Sequence, residues 1–495
     1  MFPRAPQILV SLRKSLFNDL AFRYYSNSAT RPVLPSISFE PQPYKGPNYN
    51  DVIKLRNSSI NPCVQLYYRE PIMVSQGYMQ YIWDHTGKRY LDMFGGIVTV
   101  SVGHCHPKVT KAATDQMHKL WHLTNLYLHP KMHEYGKKLT DRLPGDLKVC
   151  YFCNSGSEAN DLAIQLARLH TGAFDIVSLR NSYHGATPYS IGLCGIGTWK
   201  HSFPNSFGIH HAMNPDPYRG LWGGSNCRDS PVQADRKCSC GVNQCVACDM
   251  YIGQLEELLS HSLPKKIAGF FAESIQGVGG TVQFPKGYLK KAYEIIRQHG
   301  GLCIADEVQT GFGRTGKFWG FLQHDVMPDI VTLAKGMGNG FPFAAVITRK
   351  DIADSLTDAL TFNTYSGNPI ACAAASAVLD VIDEEKLMEN SHHVGTYLLH
   401  SLSKLRRKYE IVGDVRGKGL MIGVEMVMDK ESKKPLSKDK ISAILEDAKE
   451  MGLLLGKGGL HGNVFRIKPP MCISRADADF CVSVMDIAIS KQSGI

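Results

Sequence analysis

A series of short apolar runs alternating with helical patterns constrains this chain more than any other feature. The runs lie at residues 149–152, 174–179, 267–272, 302–305, 330–333 and 343–348. Between them, Ala159, Leu162, Ala163 and Leu166 fall on one helix face, as do Leu289, Ala292, Tyr293 and Ile296, and the second helix stops at Gly300-Gly301. Strand–helix alternation of this kind predicts an α/β fold built on a large, doubly wound, mostly parallel sheet.

The flanking segments read differently. Residues 31–62 are rich in Pro and lack apolar periodicity, so they predict an arm; residues 78–94 predict two strands joined at His85-Thr86-Gly87. Beyond about residue 370, an Ala-rich helix, charged amphipathic helices and short strands around 419–426 and 464–467 predict a smaller α+β domain. The expected organisation is a leader at 1–30, an arm and small-domain segment at 31–100, a large domain at 101–370 with a Cys-rich insertion at 227–248, and a C-terminal small domain at 371–495.

Charge narrows the function classes. The formal surplus is +10, but four of those charges belong to residues 1–31, where Arg4, Arg13, Lys14, Arg23 and Arg31 face only Asp19. No dense basic run remains elsewhere, so a nucleic-acid partner is not expected. Nor does any stretch approach about 18 consecutive apolar residues, so a membrane span is not expected. The acid-poor leader, with Leu9, Leu12, Leu16 and Leu20 at helical spacing, reads as a mitochondrial transit peptide cleaved near Ser26. The 14 Cys of a chain without a secretory leader suit a reducing compartment such as the matrix.

In open α/β sheets the ligand sits beyond the carboxyl ends of the strands, and the polar residues there form a coherent set. Ser155-Gly156-Ser157 follows one run and opens a helix, offering backbone N–H groups, hydroxyls and the positive helix end to a phosphate, without the Lys of a P-loop. Glu273 ends a second run, Asp306-Glu307 a third, and Lys335, between Ala334 and Gly336, follows a fourth. Any one of these has an ordinary structural explanation. Together, a phosphate cradle, an Asp in apolar surroundings and a Lys suited to Schiff-base formation are the three handles that pyridoxal 5′-phosphate requires.

The segments Asn154-Ser155-Gly156-Ser157-Glu158-Ala159-Asn160, Ser182-Tyr183-His184-Gly185, Asp306-Glu307-Val308-Gln309-Thr310-Gly311-Phe312-Gly313-Arg314 and Ala334-Lys335-Gly336, in this order and spacing, resemble the class III aminotransferases of fold type I. The resemblance runs from about residue 60 to the C-terminus. It implies that Lys335 is the imine-forming lysine and proton carrier, and that Asp306 pairs with the cofactor's ring nitrogen. Gln309 would bond the ring's phenolic oxygen, Tyr183 and Val308 would cover its two faces, and Gly156 and Ser157 would hold the phosphate. Glu273 is retained from the family's Glu-Pro-Ile-Gln segment, here Glu-Ser-Ile-Gln. Thr364 resembles a residue that reaches the phosphate of a neighbouring subunit, which implies a homodimer, or a tetramer of such dimers, with shared sites.

Substrate follows from three further positions. Arg416 resembles the arginine that forks onto a substrate carboxylate. Val278 replaces a Glu that in ω-aminotransferases of the class neutralises that arginine, so Arg416 is expected to be free for α-carboxylates. Ile97 stands where a related ornithine enzyme has a Tyr, and an apolar lid there suits a small substrate. The resemblance therefore implies transfer of the amino group of L-alanine to glyoxylate, giving pyruvate and glycine, with β-aminoisobutyrate or methylated arginines as other donors. The alternative from the same family is a phospholyase acting on amino-alcohol phosphates; a non-enzymatic scaffold is a third.

No metal site is assigned. His104 and His106 match a family turn without metal. Cys227, Cys238, Cys240, Cys245 and Cys248 leave three states open: zinc held by the Cys238-x-Cys240 and Cys245-x-x-Cys248 pairs, free thiols, or disulfides.

Overall fold

The computed structural model describes residues 31–202, 206–241 and 244–494. The expected leader lies outside them. Residues 34–495 form one compact unit.

Three sheets organise this unit. The first opens with β1 (Val74–Tyr78), β2 (Tyr81–Asp84) and β3 (Arg89–Asp92), paired antiparallel in sequence order. The stretch read as one strand from Tyr78 is thus broken. Tyr78 pairs with Tyr81 across a two-residue turn at Met79-Gln80, with Met79 at φ 53°. Lacking Gly, Asn or Asp, that turn carries no sequence signal.

The large sheet contains β4 (Val149–Cys153), β5 (Ile176–Leu179), β6 (Ile209–Ala212), β7 (Gly269–Glu273), β8 (Leu302–Asp306), β9 (Ile330–Leu333) and β10 (Ala344–Thr348), in the order β4-β10-β9-β8-β7-β5-β6. Only β10 runs antiparallel to its neighbours. The apolar runs are these strands, shifted by a residue or two. Edge strand β6 escapes the pattern because its two central residues are His210 and His211, which bond Asp175 and Ser178 rather than pack. Strands buried on both faces need continuous apolar sequence, as β7 to β10 show.

The third sheet holds β11 (Val412–Lys418), β12 (Met421–Met426), β14 (Gly456–Gly458) and β15 (Val464–Ile467) in the order β11-β12-β15-β14. The intervening β13 (Leu453–Leu454) pairs parallel with β3, so chain segments more than 350 residues apart share the first sheet. Around these, the helix Pro369–Glu384 is buried almost throughout, with Asn368 capping the amides of Ile370 and Ala371. The Pro-rich arm contains one exposed helix, Tyr49–Ser59, capped by Asn48.

His104 and His106 each meet a carboxylate. His104 Nε2 lies 2.8 Å from Asp92 Oδ2, and His106 Nε2 lies 2.8 Å from Glu385 Oε1.

Candidate active site

The register of the large sheet builds the site. Glu273 and Asp306 are cross-strand partners at the ends of β7 and β8, and Asp306 stands opposite Thr332 of β9. Lys335 follows β9 at φ 49°, in the left-handed region that a side-chain-bearing residue enters at a cost. The helix Gly156–Thr171 begins directly beyond β4, with a capping box in which the Ser155 hydroxyl accepts from the Glu158 amide and the Glu158 carboxylate accepts from the Ser155 amide. Its first-turn amides at Gly156 and Ser157 are among the donors that an α-helix leaves without an intrahelical partner.

Gly156, Ser157, Tyr183, Glu273, Asp306, Val308, Gln309, Lys335 and Ile97 all line one cavity of about 370 Å³. This volume lies in the range of small-molecule sites. Asp306 is buried; its Oδ2 accepts from Asn160 Nδ2 at 2.9 Å and lies 2.7 Å from His184 Nδ1, while its Oδ1 accepts from the Val308 amide at 3.1 Å. Glu273 accepts from the amides of Tyr183 and Gly277, and burial raises its carboxyl above the usual range. Burial, and then the nearby Arg466 guanidinium, lower the Lys335 amine to about 8, against the pull of Asp306 and Glu273. Gly185, at φ 127°, is required by close approach, since a Cβ there would stand 2.5 Å from Ser157 Oγ.

Two expected residues lie elsewhere. Thr364 is exposed and outside the cavity, although Asn154 Nδ2 bonds the neighbouring Asn363 Oδ1 at 2.9 Å and so holds this segment beside the cradle. Arg416 is not left free, despite Val278. It is buried, its Nη1 lies 2.6 Å from Glu425 Oε2 and 3.1 Å from Asp414 Oδ2, and its Nε donates to Gly280 O. It lines an adjoining cavity that excludes Lys335.

The guanidinium in the Lys335 cavity is that of Arg466, on β15. Its Nη2 donates to Gln309 Oε1 at 3.0 Å, its plane lies over Phe94, and its Nε is buried without a partner. Among the described residues no carboxylate pairs with it. The sequence signal was a lone Arg inside the apolar run Val464-Phe465-Arg466-Ile467, a charge that a buried strand tolerates only for cause. His184 and Asn160 stood in quoted motifs, but only their contacts with Asp306 give them a task. Trp199, edge-on to Tyr183 at 4.9 Å, also walls the cavity.

These groups fit pyridoxal 5′-phosphate. A helix start offers amides, a buried carboxylate is set between an imidazole and an amide, and an amine of lowered basicity faces the same space. A family model described as aminotransferase class-III matches residues 66–489. The chain belongs to the class III aminotransferases.

This aminotransferase is 55% identical over 464 residues to the Homo sapiens protein named alanine–glyoxylate aminotransferase 2, mitochondrial, an alignment covering 93% of this chain and 90% of that one. Among solved structures, it resembles a Bacillus anthracis aminotransferase with a TM-score of 0.82 at 29% identity, over 90% of this chain and all of the other. An amine transaminase of an uncultivated Pseudomonas species, solved in its PLP-bound form, matches with a TM-score of 0.77 at 32% identity, over 88% of this chain and 97% of that one. The fold is therefore that of the fold type I PLP transaminases, and the aminotransferase is a PLP-dependent enzyme.

Proposed function

We propose that the enzyme transfers the amino group of L-alanine to glyoxylate, giving pyruvate and glycine, and that β-aminoisobutyrate and methylated arginines serve as further donors. The observation that carries this reading is Arg466, a buried guanidinium that shares the Lys335 cavity and has no carboxylate partner among the described residues. A planar fork matches a substrate carboxylate in two parallel hydrogen bonds. Val278 adds no charge to oppose it, and Ile97 limits the space to small side chains.

When bound, the cofactor supplies an electron-withdrawing ring that stabilises negative charge at the substrate Cα. The chain's own groups do the rest. Gly156 and Ser157 would hold the phosphate with their amides. Asp306, oriented by His184 and Asn160, would keep a proton on the ring nitrogen. Lys335 Nζ, its basicity lowered, would take up the proton at the donor's Cα and give it back, the role of a general base and acid in turn. Tyr183, Trp199 and Val308 wall the cavity.

The homodimer, with Thr364 serving the partner's site, belongs to the same proposal, as does residence in the mitochondrial matrix. The experiment is a half-reaction screen. Single amino acids are added to cofactor-loaded enzyme, and pyridoxamine phosphate is quantified. Conversion by alanine and reversal by glyoxylate are expected. Release of inorganic phosphate from phosphoethanolamine without a keto acid, and no conversion by alanine, would establish the phospholyase alternative instead.

A further inference from the structure

The cysteines of the 227–248 insertion take no part in the Lys335 cavity, yet the fold draws four of them together. Cys227 Sγ lies 3.7 Å from Cys238 Sγ and 3.6 Å from Cys240 Sγ, and Cys240 Sγ lies 3.9 Å from Cys245 Sγ. The sulfurs of Cys227, Cys240 and Cys245 are all within 4.8 Å of one another. The spacing in sequence paired Cys245 with Cys248, and the structure differs. Cys248 sits in the helix Val246–Ser262 and turns toward Gly287, 3.9 Å from where a Cβ on that residue would stand. Cys227, distant in sequence and fully buried, takes the fourth place.

We propose that Cys227, Cys238, Cys240 and Cys245 bind a structural Zn²⁺ ion as thiolates. Four sulfurs about 2.3 Å from a tetrahedral zinc stand about 3.8 Å apart; three of the six edges, at 3.6, 3.7 and 3.9 Å, match that spacing, and Cys238, held 3.7 Å from Cys227 but outside the mutually close trio, swings in to close the fourth corner. A disulfide requires about 2.05 Å, and all of these cysteines are free. Each zinc–sulfur bond forms as a thiol gives its proton to solvent, so four protons leave and the site carries a net charge of two minus. Amides are already placed to stabilise it. The Cys240 N–H donates to Cys238 Sγ at 3.4 Å, those of Val246 and Ala247 reach Cys240, and those of Ala247 and Cys248 reach Cys245. The last three belong to the first turn of a 17-residue helix, whose positive end favours anionic sulfur. Arg236 and Lys237 directly precede Cys238 and add positive charge.

The loop is shaped for this closure. Gly224 permits the approach, since a Cβ there would stand 2.5 Å from Cys238 Cβ. Arg228, next to Cys227, forks onto Asp414 at 2.7 and 3.0 Å, and Arg219 pairs with Glu425. Asp414 and Glu425 are the carboxylates that hold Arg416. A zinc knot would therefore anchor the insertion that packs against this wall of the enzyme.

The test is the metal content of the full-length holoenzyme, purified under reducing conditions without chelator and measured by plasma mass spectrometry. One zinc per chain is expected, with stoichiometric release by a mercurial that blocks the thiols. Replacement by Co²⁺ should give the sulfur-to-metal charge-transfer bands of a tetrahedral thiolate site. Cys240→Ser and Cys245→Ser should lose the zinc while retaining bound pyridoxal phosphate. Cofactor-loaded wild-type enzyme that stays well below stoichiometric zinc after incubation with Zn²⁺ would overturn the proposal. A disulfide mapped between any two of the four, or zinc content unchanged in the serine variants, would do so equally. The wild-type measurements decide the matter even if a variant fails to fold.

Discussion

Arg416 and Glu425 form a buried ion pair, Nη1 to Oε2 at 2.6 Å, inside a network that also joins Asp414, Arg228, Arg406 and Arg219. A guanidinium so engaged stabilises the β11–β12 corner. To reach a substrate it would have to abandon two carboxylates in a desolvated setting, which costs several kcal/mol.

The two arginines should therefore separate kinetically. Arg466→Gln is expected to raise KM for both alanine and glyoxylate by roughly 10- to 100-fold, the worth of a charge-assisted bidentate contact. Arg416→Lys should act mainly on thermal stability. Equal loss of carboxylate affinity in the two variants would return Arg416 to the substrate.

Asp414 is the pivot of the network. Although burial opposes it, the guanidiniums of Arg228, Arg416 and Arg406 hold its carboxyl well below the usual carboxylate range. Its stabilising contribution is thus fully present above the unfolded carboxylate's pKa of about 4 and is lost as pH falls below that value. Asp414→Asn should destabilise the fold by about 3 kcal/mol at neutral pH. Thermal melts of the two proteins should then converge on acidification.

Lys335 supplies a pH dependence of opposite origin. Only its neutral amine is nucleophilic, and with the amine at about 8 the rate at which cofactor-free enzyme captures pyridoxal phosphate covalently should rise through that region and level above it. A stopped-flow profile flat from pH 7 to 9, about a unit on either side of this value, would contradict the assignment. Lys335→Ala should bind the cofactor without a borohydride-reducible link and lose at least about 10²-fold in turnover.

His184 acts through Asp306, which it approaches to 2.7 Å. His184→Ala should lower kcat by roughly tenfold or more while leaving KM for alanine little changed, because a hydrogen bond to a charged group is lost away from the substrate. A visible absorption band of the holoenzyme shifted in its pH midpoint would distinguish this positioning role from general loosening.

The exposed Thr364 gives a test of shared sites. Thr364→Val should weaken cofactor retention, and mixing it with Lys335→Ala chains should restore retention at one of the two sites in each hybrid dimer. No restoration would separate Thr364 from the partner's site.

The strand runs, the capped helix at Gly156, and Asp306 and Lys335 at strand ends were legible in the sequence, because burial on both sheet faces and helix capping are local demands that each residue either meets or does not. The amino-acid order alone thus determined six of the seven strands of the large sheet and the cofactor chemistry. It could not determine which arginine is paired with carboxylates. Arg416 and Arg466 both sit in buried strands, and their difference lies in partners that the fold brings to each: the carboxylates of Asp414 and Glu425 for one, the Gln309 carboxamide for the other, whose Nε is buried without a partner. The same holds for Cys227, which joins Cys240 and Cys245 only when the insertion folds back past Gly224. Electrostatic pairing and metal geometry depend on distances through space over a few ångströms, and chain order does not encode those until the sheet has brought the segments together.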